Sequence, residues 1–279
     1  MVYAIFFPDD VVIYVTAKNT SDVNLQLQEN LNEVNKWYLS NRLRINIEKT
    51  KVMLLKAQSF DQLNISIEGK ALEQVKTIKY LGLTIDDELK WNSHVNNMCK
   101  SIAYKIHLLS KLRKYLNSNL LNTLYKSIIQ PCFDYACSVW GNCPNVVSKK
   151  LLRLQKRAAR IVTGNFDYET SNGTDLMKNL SWPSLEQRRD YFLATLMFKC
   201  INGLAPSRLC NEIEMVFDRH GFDTRNASSL NVVVPKPNLE SFKQSLKYAG
   251  AKIWNKLPNN LQNSNSVNSF KSNYKKIFF

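Results

Sequence analysis

The chain of 279 residues carries 38 Lys and Arg against 23 Asp and Glu, a formal net charge of +15, which makes a polyanion the first partner to consider. An apolar fraction of 44% excludes extensive disorder, and no apolar run approaches the roughly 20 residues that cross a bilayer. The eight glycines form no G-x-G-x-x-G or Walker pattern, which excludes the usual dinucleotide and P-loop cradles.

Residues 2–7 and 11–16 read as two short strands, rich in Val, Ile, Phe and Tyr, about a Pro8-Asp9-Asp10 tip. Such an acid pair is either a solvated turn or the oxygen ligands of a hard cation such as magnesium. Pro8 sits where a tight hairpin turn prefers positive φ, which proline cannot adopt. From Ser21 to Ser40, Val23, Leu27, Leu31, Val34 and Tyr38 recur at helical spacing, with Ser21 placed to cap the start.

Alternation then returns in Leu43, Ile45 and Ile47, in 52–55, in Ile65 and Ile67 before a Glu68-Gly69-Lys70 turn, and in 75–85, so strands are expected there. Asp86 and Asp87 lie between an extended run and a helix starting near Trp91, and capping that helix is their favoured role. Helical spacing continues through Leu116 and then over 118–130, 131–141, 146–163 and 184–202. The segment 217–238 is polar, with one Val232-Val233-Val234 run, and reads as a loop with an isolated strand. A helix is expected around Phe242–Trp254, followed by an Asn- and Ser-rich tail.

Two helices concentrate the positive charge. Lys149, Arg153, Lys156 and Arg160 fall at i, i+4, i+7 and i+11 beside Lys150 and Arg157, with no acid between 149 and 162. Leu151, Leu154, Ala158, Ile161 and Val162 line the other side, so the helix can dock on a core and present cations to phosphates. Lys100, Lys105, Lys111, Arg113 and Lys114 repeat the theme, interleaved with Tyr104, His107 and Tyr115, whose rings are read as core. The six cysteines contain no C-x-x-C and face only three histidines, so buried thiols are expected over a zinc site. Without a signal-peptide pattern, the expected compartment is intracellular, nucleus or cytoplasm.

In order and spacing these segments resemble the C-terminal part of the reverse transcriptases of non-LTR retrotransposons, the jockey-like and related LINE elements. Phe7-Pro8-Asp9-Asp10 is similar to motif C, aromatic-x-Asp-Asp; Leu43 to Lys51 (LRINIEKTK) to motif D; and Lys79-Tyr80-Leu81-Gly82 to the motif E primer grip. Downstream, Phe133-Asp134-Tyr135, Val139-Trp140-Gly141, 154–160, Asn202 to Pro206 and Trp254 to Pro258 resemble the helical region after the polymerase core.

The resemblance implies an α+β fold: a partial polymerase palm of antiparallel strands with a helix in 1–90, a thumb-like helical region in 91–165, and a helical C-terminal region in 166–279. It implies RNA-directed DNA synthesis with magnesium, an RNA template and a DNA primer. Asp9 and Asp10 would be the catalytic and metal-binding acids, and Lys49 would lie near the departing pyrophosphate. Tyr80, Leu81 and Gly82 would lie by the primer end. No motif A aspartate or fingers fit ahead of Asp9, so the expectation for the chain alone is template-primer binding without polymerisation. The alternative is a non-catalytic nucleic-acid-binding remnant that relies on its basic helices. The oligomeric state is left open.

Overall fold

The computed structural model describes residues 2–7, 10–55, 62–141, 143–219, 230–237, 242–243 and 245–279. These form two compact units, Met1–Val95 and Asn96–Phe279.

In the first unit β1 (Val2–Phe7) and β2 (Asp10–Val15) pair antiparallel, with Val2 opposite Val15 and Phe7 opposite Asp10. The helix α1 (Thr20–Ser40) follows. Its cap is Asn19 and not Ser21: Asn19 has the extended backbone an N-cap needs, and its side chain accepts the Asp22 N–H at 2.8 Å. The strand expected over Leu43–Ile47 does not form. Ile45 and Ile47 nonetheless pack against Leu31, Val52, Leu63, Ile65, Ile67 and Leu72. Alternation there reports one-sided burial, which a ladder-free extended segment also provides.

The remaining strands are short: β3 (Lys51–Val52), β4 (Ser66–Ile67), β5 (Lys70–Ala71), β6 (Glu73–Gln74), β7 (Thr77–Tyr80) and β8 (Leu83–Asp86). Among the described residues they pair two by two, β3 with β6 in parallel and β4–β5 and β7–β8 antiparallel. Pairs this small leave edge groups open, and side-chain amides close several of them. Gln28 of α1 donates to the Ser66 carbonyl at 2.9 Å and accepts the Ser66 N–H at 2.8 Å. Asn24 and Gln74 likewise accept the N–H groups of Asn64 and Leu63.

The Asp86 carboxylate accepts the N–H groups of Lys90 at 2.8 Å and Trp91 at 2.7 Å, on the approach to α2 (Asn92–Leu112). That is the capping role expected of it, one step earlier along the chain. The unit boundary falls inside α2.

The second unit is helical. Asn117 caps α3 (Ser118–Leu124), which runs through a π turn at Tyr125–Ile129 into α4 (Gln130–Asp134). The Gln130 N–H reaches back five residues to the Tyr125 carbonyl, and Pro131 follows directly. The wide turn shifts the carbonyl that a proline ring meets in a regular helix, so the expected break at 130 does not occur. After α5 (Cys137–Trp140) come α6 (Asn145–Thr163), α7 (Gly173–Asn179) and α8 (Leu185–Ile201), the last closed by a reciprocal Ser184–Gln187 capping box.

Next are α9 (Ser207–Cys210) and α10 (Val216–Arg219), with Met215 paired to Val232 as the expected isolated strand contact. Residues 220–229 of the expected polar loop lie outside the described set. A second π turn, Leu246–Gly250, leads into α11 (Ala251–Trp254), and α12 (Asn259–Gln262) and α13 (Val267–Phe278) complete the chain.

The polar tail is thus a helix. Ser266 caps α13, and Phe270 and Tyr274, four residues apart, are its buried anchors. They join Tyr191, Met197 and Phe198 of α8 and Trp254 in an aromatic core, where the Phe198 and Phe270 rings lie 4.7 Å apart. The α+β class read from the sequence is the one observed.

Candidate nucleic-acid interface

Asp10 opens β2 and is exposed, its backbone paired with Phe7. Pro8 and Asp9 lie outside the described residues. The carboxylate of Asp10 is a hard oxygen donor of the kind magnesium takes. Among the described residues no three His, Cys, Asp or Glu side chains converge on one point. Asp10 alone among the described residues thus offers one fitting oxygen donor at this hairpin, and Asp9 lies outside them.

Lys49 is exposed on a turn built by Asn46, whose carbonyl accepts the Thr50 N–H at 3.0 Å and whose side chain accepts the Lys49 N–H at 3.1 Å. This leaves Lys49 exposed on a turn braced by Asn46.

Tyr80 ends β7 opposite Leu83, and Leu81 and Gly82 form the link to β8. Leu81 at φ 45° and Gly82 at φ 79° are both left-handed, the combination that matches a two-residue link to strand twist. Glycine adopts this at little cost, whereas Leu81 bears roughly 1–2 kcal/mol of backbone strain. Tyr80 and Leu81 are half-buried and Gly82 is exposed.

In the second unit, α6 separates its two faces by helical period. Val147, Leu151, Ala158, Ile161 and Val162 are buried, while Lys149, Lys150, Arg153 and Arg157 are exposed. Lys156 is half-buried, its stem lying over Gly173 at the start of α7. Leu154, expected in the core, is half-buried.

Arg160 departs from the expected outward stripe. It is 6% exposed and donates to the carbonyls of Asp167 at 2.8 Å and Ser171 at 2.7 Å, and to the Ser171 hydroxyl at 3.1 Å. The Tyr168 ring covers its guanidinium at 4.0 Å. Periodicity places Arg160 on the cationic face; the loop 165–171 folds back over that end of the helix and takes up its hydrogen bonds. Its contacts hold the loop, and Lys149, Lys150, Arg153 and Arg157 are the cations of α6 that stay exposed.

The helix α2 lies beside α6 and runs in the same direction. Near one end Lys150 Nζ donates to Asn96 Oδ1 at 2.9 Å. At the other, Arg113 donates to the Ile161 carbonyl, and its guanidinium occupies the space a Cβ would need at Gly164. Tyr104 is 64% exposed and Tyr115 82%, and His107 is exposed as well. The reading of these rings as core is therefore corrected: Tyr104 and His107 stand with Lys100 and Lys111 on the outward face of α2, and Tyr115 is exposed just beyond its end.

Several downstream motifs are structural pins. Asp134 and Arg188 form a two-pronged pair, with Nε to Oδ1 at 2.6 Å. Trp140 Nε1 donates to the Tyr135 carbonyl at 2.7 Å, and Arg189 stacks over the Trp140 ring. Asn255 pairs with both backbone groups of Val232, and Trp254 Nε1 donates to the Leu230 carbonyl at 2.7 Å. Cys137, Cys143 and Cys200 are buried thiols, and burial pushes Cys137 up to about 12 and Cys200 up to about 11.

Sequence reasoning missed Phe166 and Tyr168, exposed rings on the loop 165–171. The Asn, Asp, Ser and Thr residues around them mark a turn-rich loop, and two exposed aromatics in such a setting were the available signal.

Residues 1–85 match the family model for reverse transcriptase (RNA-dependent DNA polymerase). The chain is 26% identical over 182 residues to the RNA-directed DNA polymerase from mobile element jockey of Drosophila melanogaster, an alignment covering 64% of this chain and 20% of that protein. It is 27% identical to the probable RNA-directed DNA polymerase from transposon X-element of the same organism, over 57% of this chain and 18% of that protein. A third relative there, from transposon BS, is 25% identical over 65% of this chain and 20% of its own length. The chain thus spans about a fifth of the length of the curated relatives it matches. No solved structure matches it. The resemblance to non-LTR retrotransposon reverse transcriptases read from the motifs is borne out. Among the described residues no helix is long and apolar enough to cross a membrane.

Proposed function

We propose that this chain is the palm-to-C-terminal part of a non-LTR retrotransposon reverse transcriptase, and that by itself it binds template-primer without polymerising. The observation that carries the reading is the β1–β2 pairing inside the reverse transcriptase match, which starts β2 at the exposed Asp10. Asp9 and Asp10 supply oxygen ligands to magnesium, which when bound offsets the charge of the transferring phosphates. Lys49 lies near the departing pyrophosphate, and the Tyr80-Leu81-Gly82 turn lies by the primer end. Lys149, Lys150, Arg153 and Arg157 of α6 contact the phosphate backbone, with Lys156 beside them; Arg160 serves this surface only through the loop it holds.

Two-metal transfer draws carboxylates from more than one strand. Motif C provides one adjacent pair. Purified 279-residue chain, mixed with an RNA template, a DNA primer, magnesium and deoxynucleotides, is expected to bind the duplex and leave the primer unextended. Robust magnesium-dependent extension would overturn the second half of the proposal.

A further inference from the structure

The loop 165–171 puts two aromatic rings on the surface and backs each with an arginine from the helical framework. Tyr168 is 73% exposed, yet one of its faces lies 4.0 Å from the guanidinium carbon of Arg160, which is itself almost fully buried. Phe166 is half exposed and lies 5.8 Å from the guanidinium carbon of Arg113. Both arginines are fixed, Arg160 by the Asp167 and Ser171 contacts and Arg113 by the Ile161 carbonyl. The rings are therefore held on a rigid base, with much of their surface open to solvent.

Hydrophobic burial does not account for this arrangement, because the covered faces lie on cations and the rest is wet. A planar π-system arriving from solvent would gain stacking on a prepaid geometry, with each ring already polarised by the cation behind it. Charge then chooses the occupant. The exposed Arg157 and Arg153 lie on the preceding turns of α6, and Lys114 and Tyr115 follow Arg113 in the turn after α2. Within the loop the two acids oppose phosphate at the rings themselves: Glu169 is exposed, and hydrogen bonds from the Thr170 hydroxyl and from amides hold the Asp167 carboxyl below its ordinary range. Apolar, flat groups belong on the rings and anions belong up the helix.

We infer that Phe166 and Tyr168 form a stacking platform for unpaired nucleobases, whose phosphates run along the exposed cations of α6. The inference rests on the nucleic-acid-binding reading above and deepens it, because a duplex hides its base faces and a single strand offers them.

The test uses the full chain and fluorescence anisotropy with three labelled probes: a 12-mer of oligo-U, a 12-mer of oligo-dT and an RNA–DNA duplex of that length. The double variant Phe166→Leu/Tyr168→Leu keeps apolar cover over both guanidinium groups. It is expected to weaken single-strand binding about tenfold or more, to leave the duplex affinity within about twofold, and to keep the salt slope, since no phosphate contact is removed. Tyr168→Trp should match or exceed wild type on single strands. Unchanged single-strand affinity in the double variant, an equal loss on duplex and single strand, or wild-type chain that binds duplex alone would each overturn the platform while sparing template-primer binding. Wild-type chain that binds none of the probes would overturn both. Parallel losses on oligo-U and oligo-dT support base stacking; a loss confined to one overturns a platform that reads only the flat faces of bases.

Discussion

The first unit closes short two-stranded pairings with side-chain amides around an aliphatic core, whereas the second packs Trp254, Phe198, Phe270 and Tyr274 together from α11, α8 and α13. The family match and the candidate residues Asp10, Lys49 and Tyr80 fall in the former, and the exposed cations of α6 fall in the latter. The residues of the proposed polymerase motifs thus sit where the framework is thin, and the cations proposed to meet phosphates sit where it is robust. This division can be broken experimentally, and the largest effects belong to the second core.

Trp254→Ala removes a fully buried indole whose N–H is satisfied by Leu230, and a loss of about 3–5 kcal/mol is expected in urea unfolding followed by circular dichroism. Ile67→Ala in the first unit should cost about 2–4 kcal/mol. If it cost more than Trp254→Ala, the contrast would be reversed.

Next comes the Asp134–Arg188 pair, whose side chains are 13% and 16% exposed in the opposite order. Removing one partner leaves a nearly buried charge, so Arg188→Ala should lower stability by roughly 3 kcal/mol. Adding Asp134→Ala should then cost little more, which a double-mutant cycle reads directly.

A smaller effect sharpens the picture of the first unit. His94 is buried and accepts the Thr84 N–H through Nδ1 at 3.3 Å, and burial holds its pKa below the ordinary 6.5. The unfolded state then binds more protons near and below pH 6.5, so the contribution is complete above that pH and is lost as pH falls through the folded value. Thermal scans from pH 7.5 down to 5 should show that loss, and His94→Gln should flatten it. The smallest change expected is at Glu68, which sits at φ 50° in the β4–β5 turn. Glu68→Asn suits that conformation better and should add less than about 1 kcal/mol.

The sequence was most readable where one physical demand acted alone. The helices α1, α6 and α8 declare themselves through apolar spacing, and Asp86 through its place before a helix. Asn19 took the cap from Ser21 because the backbone turns two residues earlier, which local spacing does not encode. In α13 two anchors, Phe270 and Tyr274, suffice among Asn, Ser and Lys, so the helix hides in a polar composition.

Arg160 is the sharpest case at the candidate site. Its helical phase matches that of the exposed cations, and only the returning loop, a tertiary event, turns it from a phosphate contact into a brace. The exposed rings of α2 and the turn after it read as core for the converse reason: aromatic residues at helical spacing usually mark a core, and here they face water. Residue identity shows charge and shape, and the partner segment decides their use.

Phosphate contact is proposed to reside in the cations of α6 and not in Asp9 and Asp10. Binding of the full chain to a labelled RNA–DNA template-primer, measured from low to high salt, tests it most directly. The account predicts that Asp10→Asn leaves the affinity within about twofold, while Lys149→Glu/Arg153→Glu/Arg157→Glu abolishes binding at moderate salt and flattens the dependence of log K on log salt. Triple-variant binding equal to wild type, with the same salt slope, would contradict it.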